Sequence, residues 1–444
     1  MDRIGREGAQ FANATCVTPY CSPSRASFIT GVYPHRHGIL VNVDGKGARQ
    51  APLPQKAFPN TETILHGAGY ATAHFGKWHL GDTGDFDCYE SRVYSGADNQ
   101  EYKRFLDERL PASKFAGFAG PGRYMNRPVE MIPAIENAWR EFTKPPSDRV
   151  AYISIIGRSL IPPGLLPETR ITDAAIERIR KHAKEPFMIT VSWSPPHDLW
   201  VIPEPYYSMV DRRKIDLRGT RDLPAWDQRG PSKRLGDLAG DEGLREYAAV
   251  YHGMVKYIDD QVGRVLKTLD DLGLAERTLV IFTTDHGDMV GAHGCVGKSI
   301  TSFYDDLVHI PFLMRLPGVI RPGTVVDRPV SQVDVMPTIL DYAGRTSPDG
   351  IHGRSLRPLI EGRDPPWRDH AFCQRSDRQF MIRTATHKYV FGPKPRLVAL
   401  YDLKADPDEN RNLAGLPEHA ELVRQMHRRL IDVMKADGAT IAGE

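Results

Sequence analysis

Short apolar runs alternate with amphipathic stretches along the chain, and the two periods assign the elements. Phe187-Met188-Ile189-Thr190-Val191-Ser192-Trp193 and Thr278-Leu279-Val280-Ile281-Phe282-Thr283-Thr284 are brief, largely apolar and rich in β-branched residues, the pattern of buried strands. Between them Leu244, Tyr247, Tyr251, Val255, Ile258, Val262, Val265 and Leu269 recur every three or four residues, with Gly273 as a stop. That spacing predicts a long helix. Tyr70 to His74 reads as another strand. A helix is expected at Val335 to Tyr342, after the apolar run Ile310 to Leu316. Strand–helix–strand order predicts an α/β fold: a large, mostly parallel sheet flanked by helices.

The stretch from Asp85 to Arg170 is irregular and rich in Pro, Gly and charge, as expected of insertions around a cleft. After about Asp349 the grain changes. Gln379 to Thr384 and Lys388 to Phe391 read as short strands. Tyr401-Asp402-Leu403 and Asn412-Leu413 follow, and an amphipathic helix closes the chain from about Glu421 to Met434. A boundary near 345–365 divides a large domain, 1–350, from a small α+β domain, 351–444.

Composition narrows the class. The chain has 444 residues, with 58 basic against 56 acidic side chains, so nothing in the global charge asks for nucleic acid or an anionic membrane. No stretch approaches the roughly 18 apolar residues of a membrane span. Met1 to Gln10 is polar, without the apolar core of a secretory signal. The expectation is a cytosolic chain, or one whose true start lies upstream. Five cysteines, Cys16, Cys21, Cys88, Cys295 and Cys373, are too few and too scattered for a disulfide framework, and none has zinc-site spacing. Cys88, Cys295 and Cys373 read as structural.

In open α/β sheets ligands bind beyond the carboxyl ends of the strands. Three polar clusters fall there: Thr284-Asp285-His286-Gly287-Asp288, Ser194-Pro195-Pro196-His197-Asp198 and Phe75-Gly76-Lys77-Trp78-His79. One histidine at a strand end is usually a structural hydrogen-bonder. Three clusters together point to a site for a charged substrate. A fourth runs Pro19-Tyr20-Cys21-Ser22-Pro23-Ser24-Arg25-Ala26-Ser27-Phe28-Ile29-Thr30-Gly31. Pro23 suits a first helical turn, which sets Cys21 at the positive end of a helix and Arg25 one turn inside. Helix N-termini attract anions and lower thiol pKa values. The plainer reading is a buried cysteine near a cap.

Cys21-Ser22-Pro23-Ser24-Arg25 resembles the Cys-x-Pro-x-Arg signature of the sulfatase family, and Gly69-Tyr70-Ala71-Thr72 through Gly76-Lys77-Trp78-His79 resembles its second signature, with Phe75 where a smaller residue is usual. Thr284 to Asp288 with Lys298, Ser194 to His197, and the stretch from Tyr401 through Asp406-Pro407 to Leu413 are similar to further family segments, in the same order. The resemblance implies an alkaline-phosphatase-like α/β fold and hydrolysis of sulfate esters, on a sulfated carbohydrate or aryl sulfate. It implies that Cys21 is oxidised to formylglycine by a formylglycine-generating enzyme. By the same resemblance Arg25 and Lys77 hold the aldehyde hydrate and sulfate oxygens, and His79 assists sulfate elimination. His197, with Lys298 nearby, protonates the leaving oxygen. Asp285 and His286 bind Ca²⁺, with Mn²⁺ or Mg²⁺ as alternatives. A periplasmic or extracellular location follows only from the family.

The family opens with an apolar strand ending in two aspartates that complete the metal site, and this chain begins beyond that stretch. Asp259-Asp260, Asp270-Asp271 and Asp305-Asp306 read as solvated faces or local partners, not as substitutes. A start set downstream of the true one, a metal-poor relative, or a substitute ligand would each account for this. Weak calcium binding, slow turnover and unpaired sheet edges are the expected consequences. Two other functions stay open: a phosphonate monoester or phosphodiester hydrolase, and an inactive sulfatase-like binding protein. Trp200, Tyr206, Tyr207 and Trp226 are candidates for a sugar platform or for packing. His35 and His37 are expected to brace the loop after the first signature.

Overall fold

The computed structural model describes residues 1–43, 53, 57–81, 88–90, 100–110, 129–143, 155–228, 230–298, 302–393, 396–436 and 438–439. The α/β layering read from the sequence is present, with its strands divided between separate sheets. Strand β1 (Ala9–Phe11) is followed by helix α1 (Cys21–Thr30), helix α2 (Thr61–Gly67) and strand β2 (Ala71–Gly76). Helix α3 (Pro167–Lys181) leads to strand β3 (Phe187–Ser192), which pairs in parallel with β2, Ala71 opposite Phe187 and Gly76 opposite Ser192. The long helix α4 (Pro231–Asp271), broken at Gly240, precedes strand β4 (Val280–Thr283). Strand β5 (Phe312–Arg315), strand β6 (Thr324–Val326) and helix α5 (Val335–Tyr342) complete this layer set.

The second half-sheet has the order β6-β1-β5-β4. Here β5 runs antiparallel to both β4 and β1, while β6 is parallel to β1. Only short helical turns lie between β4 and β5, so the strand returns antiparallel instead of crossing over. Among the described residues the ladders are therefore mixed, parallel at β2–β3 and β1–β6 and antiparallel at β1–β5 and β5–β4. Among the described residues no ladder joins β3 to β4. Their facing edges border a cavity of about 2010 Å³. Every residue of both strands is only half-buried, despite apolar side chains. Tyr251, Val255 and Ile258 of α4 line the cavity, as do Leu65 and Ile339.

The C-terminal unit is an antiparallel meander, β7 (His370–Arg375), β8 (Gln379–Thr384), β9 (His387–Pro393) and β10 (Arg396–Asp402), covered by helix α6 (Ala420–Ala436). Its core is shared with the larger unit: Val17, Tyr33 and Val333 pack with Phe372, Phe380, Leu400 and Leu430. Within 85–170, helices at Gln100–Arg109 and Pro133–Phe142 are more regular than the composition suggested, and much of the remainder lies outside the described residues. Among the described residues no helix is long and apolar enough to cross a membrane.

Candidate active site

The carboxyl ends of β2, β3 and β4 converge on the first turn of α1. Tyr20 caps that helix with extended backbone (φ −123°, ψ 140°), and Cys21 is its first residue. The helix runs through the interior because its side chains are small: Ser22, Ser24, Ala26 and Ser27 are all buried. His37 and His35 brace the following loop, His37 through Ser27 Oγ at 3.0 Å and His35 through Gln374 Oε1 at 2.7 Å.

Three groups from distant segments meet Cys21 Sγ. Lys298 Nζ stands at 3.0 Å, Lys77 Nζ at 3.3 Å and His286 Nε2 at 3.2 Å. Burial alone would raise this thiol's pKa. Lys298, Lys77 and His286, with a hydrogen bond from His197, override it and leave the thiol well below its ordinary value. Lys77 is set by the turn after β2, where its amide donates to Ser192 O at 2.9 Å. Gly76 takes φ +94° there, a left-handed conformation that suits glycine. Lys298 Nζ also lies 3.1 Å from His286 Nε2. His286 Nδ1 donates to Gly287 O at 2.7 Å, which turns Nε2 toward Sγ and Lys298 Nζ.

His197 Nδ1 pairs with the Asp198 carboxylate at 2.8 Å. Burial and Lys298 oppose a proton on this ring, yet Asp198 carries its pKa up to about 9. The Asp198 carboxyl, which burial would raise, is held below its usual range by His197. His79 stands in left-handed backbone, φ 64°; its carbonyl accepts from Ser22 Oγ at 2.6 Å and the residue lines the same cavity.

Arg25 departs from expectation. Its Nε donates to Asp285 Oδ2 at 2.9 Å, and its Nη1 donates to Lys77 O at 2.6 Å and Ser192 Oγ at 2.9 Å. Four positions along the helix from Cys21, the guanidinium lies one turn deeper and joins the ends of β2, β3 and β4. It acts as a strut between them. Asp285, which burial would raise, is held well below the carboxylate range chiefly by Arg25.

Asp285, His286 and Cys21 offer ligand atoms within 4.8 Å of one another. One Asp285 oxygen is engaged by Arg25, and the other accepts the His286 amide at 3.1 Å. Calcium takes six to eight oxygen ligands and magnesium a near-ideal octahedron. One shared carboxylate and one imidazole, the non-sulfur donors in this cluster, do not by themselves fit calcium, magnesium or manganese.

The aspartate pairs have local partners: Asp259 holds the N-terminal ammonium, Asp260 Lys256, Asp270 Arg3, and Asp271 Lys267. Asp305 and Asp306 pair with Arg383 and Arg218. The aromatic candidates pack or bond internally. Trp200 is buried against Tyr247, Trp226 donates to Ser302 Oγ, Tyr206 donates to Asp260, and Tyr207 lies under Arg212. Sequence reasoning assigned no role to Asp198, Ser192 or Gln332. Asp198 at least had a signal, as the residue after His197.

Two ammonium groups and two histidines thus gather around a buried cysteine at a helix N-terminus, at the carboxyl ends of strands in an α/β fold. The sulfatase family profile matches residues 1–345, and the profile of the N-sulphoglucosamine sulphohydrolase C-terminal region matches 291–436. The chain belongs to the sulfatase family and is a sulfuric ester hydrolase. It is 28% identical to an N-acetylglucosamine-6-O-sulfatase of Bacteroides thetaiotaomicron, over 98% of this chain and 81% of that protein. It is 27% identical to an arylsulfatase of Clostridium perfringens, over 97% and 88%. A phosphonate monoester hydrolase from Silicibacter pomeroyi shares the fold, with a TM-score of 0.76 and 24% identity over 100% of this chain and 90% of that one.

Proposed function

We propose that Cys21, oxidised to formylglycine by a maturing enzyme, supplies the nucleophile for hydrolysis of a sulfate ester on a carbohydrate or aryl group. The observation that carries this reading is the convergence of Lys77, Lys298 and His286 on one buried side-chain position. Sγ marks where an oxygen of the aldehyde hydrate would sit. A sulfate ester is an anion, and the two ammonium groups offset the repulsion between it and an oxygen nucleophile in a water-poor site.

One hydrate hydroxyl forms a bond to sulfur as its proton passes to the His286 Nε2 lone pair. The ester S–O bond breaks, and the leaving oxygen takes the proton of His197, whose charge Asp198 maintains. The second hydroxyl then loses its proton, with His79 as the nearby base, the C=O bond reforms, and sulfate departs. Water rehydrates the aldehyde. A calcium ion would need oxygen ligands beyond Asp285 and His286.

The test is mass spectrometry of the Cys21 peptide after co-expression with a formylglycine-generating enzyme, where conversion lowers the mass by about 18 Da. Parallel assays of 4-nitrophenyl sulfate and phenyl phosphonate follow. An unmodified thiol under those conditions would overturn the reading in favour of a binding protein. Faster phosphonate turnover would favour the phosphonate monoester hydrolase reading, which the Silicibacter pomeroyi likeness keeps in view.

A further inference from the structure

Gln332 is 1% exposed and lies in the short turn leading into α5. Its carboxamide reaches three separate parts of the chain. Oε1 accepts from Val17 N–H at 3.1 Å and faces Ser24 Oγ at 2.8 Å. Nε2 donates to Thr284 O at 2.9 Å and to Asp285 O at 2.8 Å. Both amide hydrogens are used and Oε1 accepts from Val17 N–H, while the single Ser24 hydroxyl hydrogen lies between Oε1 and Asp285 O. Its orientation follows from these partners, because Val17 N–H needs an acceptor and two carbonyls need donors. Ser24 Oγ adds a direct contact with Asp285 O at 2.6 Å.

The turn beneath Gln332 is itself fixed. Asp334 Oδ2 accepts the Ser331 amide at 2.8 Å, and Asp334 is also bound by Arg368 and by the Arg354 amide. The amide thus stands on a rigid base between the segment entering α1 and the turn after β4. Cys21 projects from the first, Asp285 and His286 from the second.

We propose that Gln332 is a positioning residue: its carboxamide sets the spacing between the nucleophile helix and the Asp285–His286 turn, and through it the 3.2 Å approach of His286 Nε2 to residue 21. This rests on the sulfatase reading of the site. Loss of the bridge leaves the Thr284 carbonyl and the Val17 amide without their partner in a buried layer, and leaves Asp285 O to Ser24 Oγ alone. The layers then settle at a different separation, and a displacement of about 1 Å at a reacting centre costs on the order of 100-fold in rate.

The experiment compares Gln332→Met and Gln332→Asn with the wild-type holoenzyme. Met keeps the length and loses the polarity; Asn keeps the polarity and cannot span. For the variants that fold, we expect kcat for 4-nitrophenyl sulfate lower by about 10- to 100-fold with KM changed less than threefold, and a longer separation between residue 21 and His286 Nε2 in their crystal structures. A folded variant with kcat within about twofold of wild type and the separation unchanged overturns the inference, since a merely structural role lowers Tm and leaves both alone. If the wild type hydrolyses no sulfate ester, the function reading fails, and the crystallographic separation decides Gln332 on its own. If Met fails to fold, Asn carries the test.

Discussion

His197 holds a proton that an isolated histidine would have lost at neutral pH. Asp198 lifts its value to about 9, so the acid form is present below that pH and disappears as pH rises through it. Its contribution to folding has the same sign: full below the unfolded value near 6.5 and lost through about 9. We expect the alkaline limb of kcat near 9, and Asp198→Asn to move that limb below about 6.5, since burial, Lys298 and Lys77 then act on His197 unopposed. His197→Ala should cost about 100- to 10,000-fold on an alkyl sulfate, whose alkoxide needs a proton, and far less on 4-nitrophenyl sulfate. Equal losses on both substrates in steady-state kinetics would remove His197 from the acid role. At this scale the motifs made Cys21, Lys77, His197, His286 and Lys298 legible, because each lies in a short recognisable run after a strand or helix start. Arg25 was legible as a residue and not as a direction, since its aim is fixed by Asp285, some 260 positions along the chain. Gln332 carried no signal at all. Its partners sit in three remote segments, and nothing local to it distinguishes a bridging amide from a surface one.

The elements themselves followed from periodicity. α4 ends at Asp271 with Gly273 in left-handed backbone, α5 spans Val335–Tyr342, and β3 and β4 fall inside the apolar runs. How strands join was not legible, because a strand's period says which faces are apolar and nothing about its neighbour. The β2–β3 ladder ends at Gly76, where a Cβ would fall 2.1 Å from Ser192 O. Gly69 also has positive φ, yet a Cβ there meets nothing within 4 Å. The two glycines therefore separate backbone strain from steric exclusion. Gly69→Ala should lose about 1 kcal/mol in urea denaturation. Gly76→Ala should lose more than about 3 kcal/mol, since the ladder end must open, and should carry Lys77 away from residue 21. Similar midpoints for the two variants would show that the β2–β3 end is not a rigid seat for Lys77.

Two features tie the site to the whole molecule. The cavity between β3 and β4 opens toward Arg25, Lys77, Asp285 and His286. Calcium titration by calorimetry should therefore show weak binding, with a dissociation constant above about 100 μM, because Asp285 and His286 are the only non-sulfur donors in the site's cluster among the described residues. Tight binding would require ligands from elsewhere. The second feature is the buried ion cluster that seats the C-terminal sheet. Lys388 of β9 is fully buried, with Nζ at 2.7 Å from Glu409 Oε1, 2.6 Å from Asp305 Oδ1 and 2.7 Å from Phe303 O. Arg383 of β8 grips Asp305 with two bonds. Burial pushes the Glu409 carboxyl up to about 7 against the pull of Lys388, and Asp305 is held low by Lys388 and Arg383. The chain continues from Asp305 to Leu307, whose carbonyl receives the Gly287 amide at 2.8 Å, next to His286. Removing the ammonium leaves the buried Glu409 carboxyl without its cation, while Asp305 keeps Arg383. Lys388→Met should cost about 3–5 kcal/mol in urea denaturation at pH 7.5 and lower kcat through His286. Adding Glu409→Gln to it removes the orphaned charge, so the double variant should be more stable than Lys388→Met alone. Additive losses in that cycle would mean that the two residues stabilise the seat independently, and that the C-terminal sheet is held by its shared apolar core.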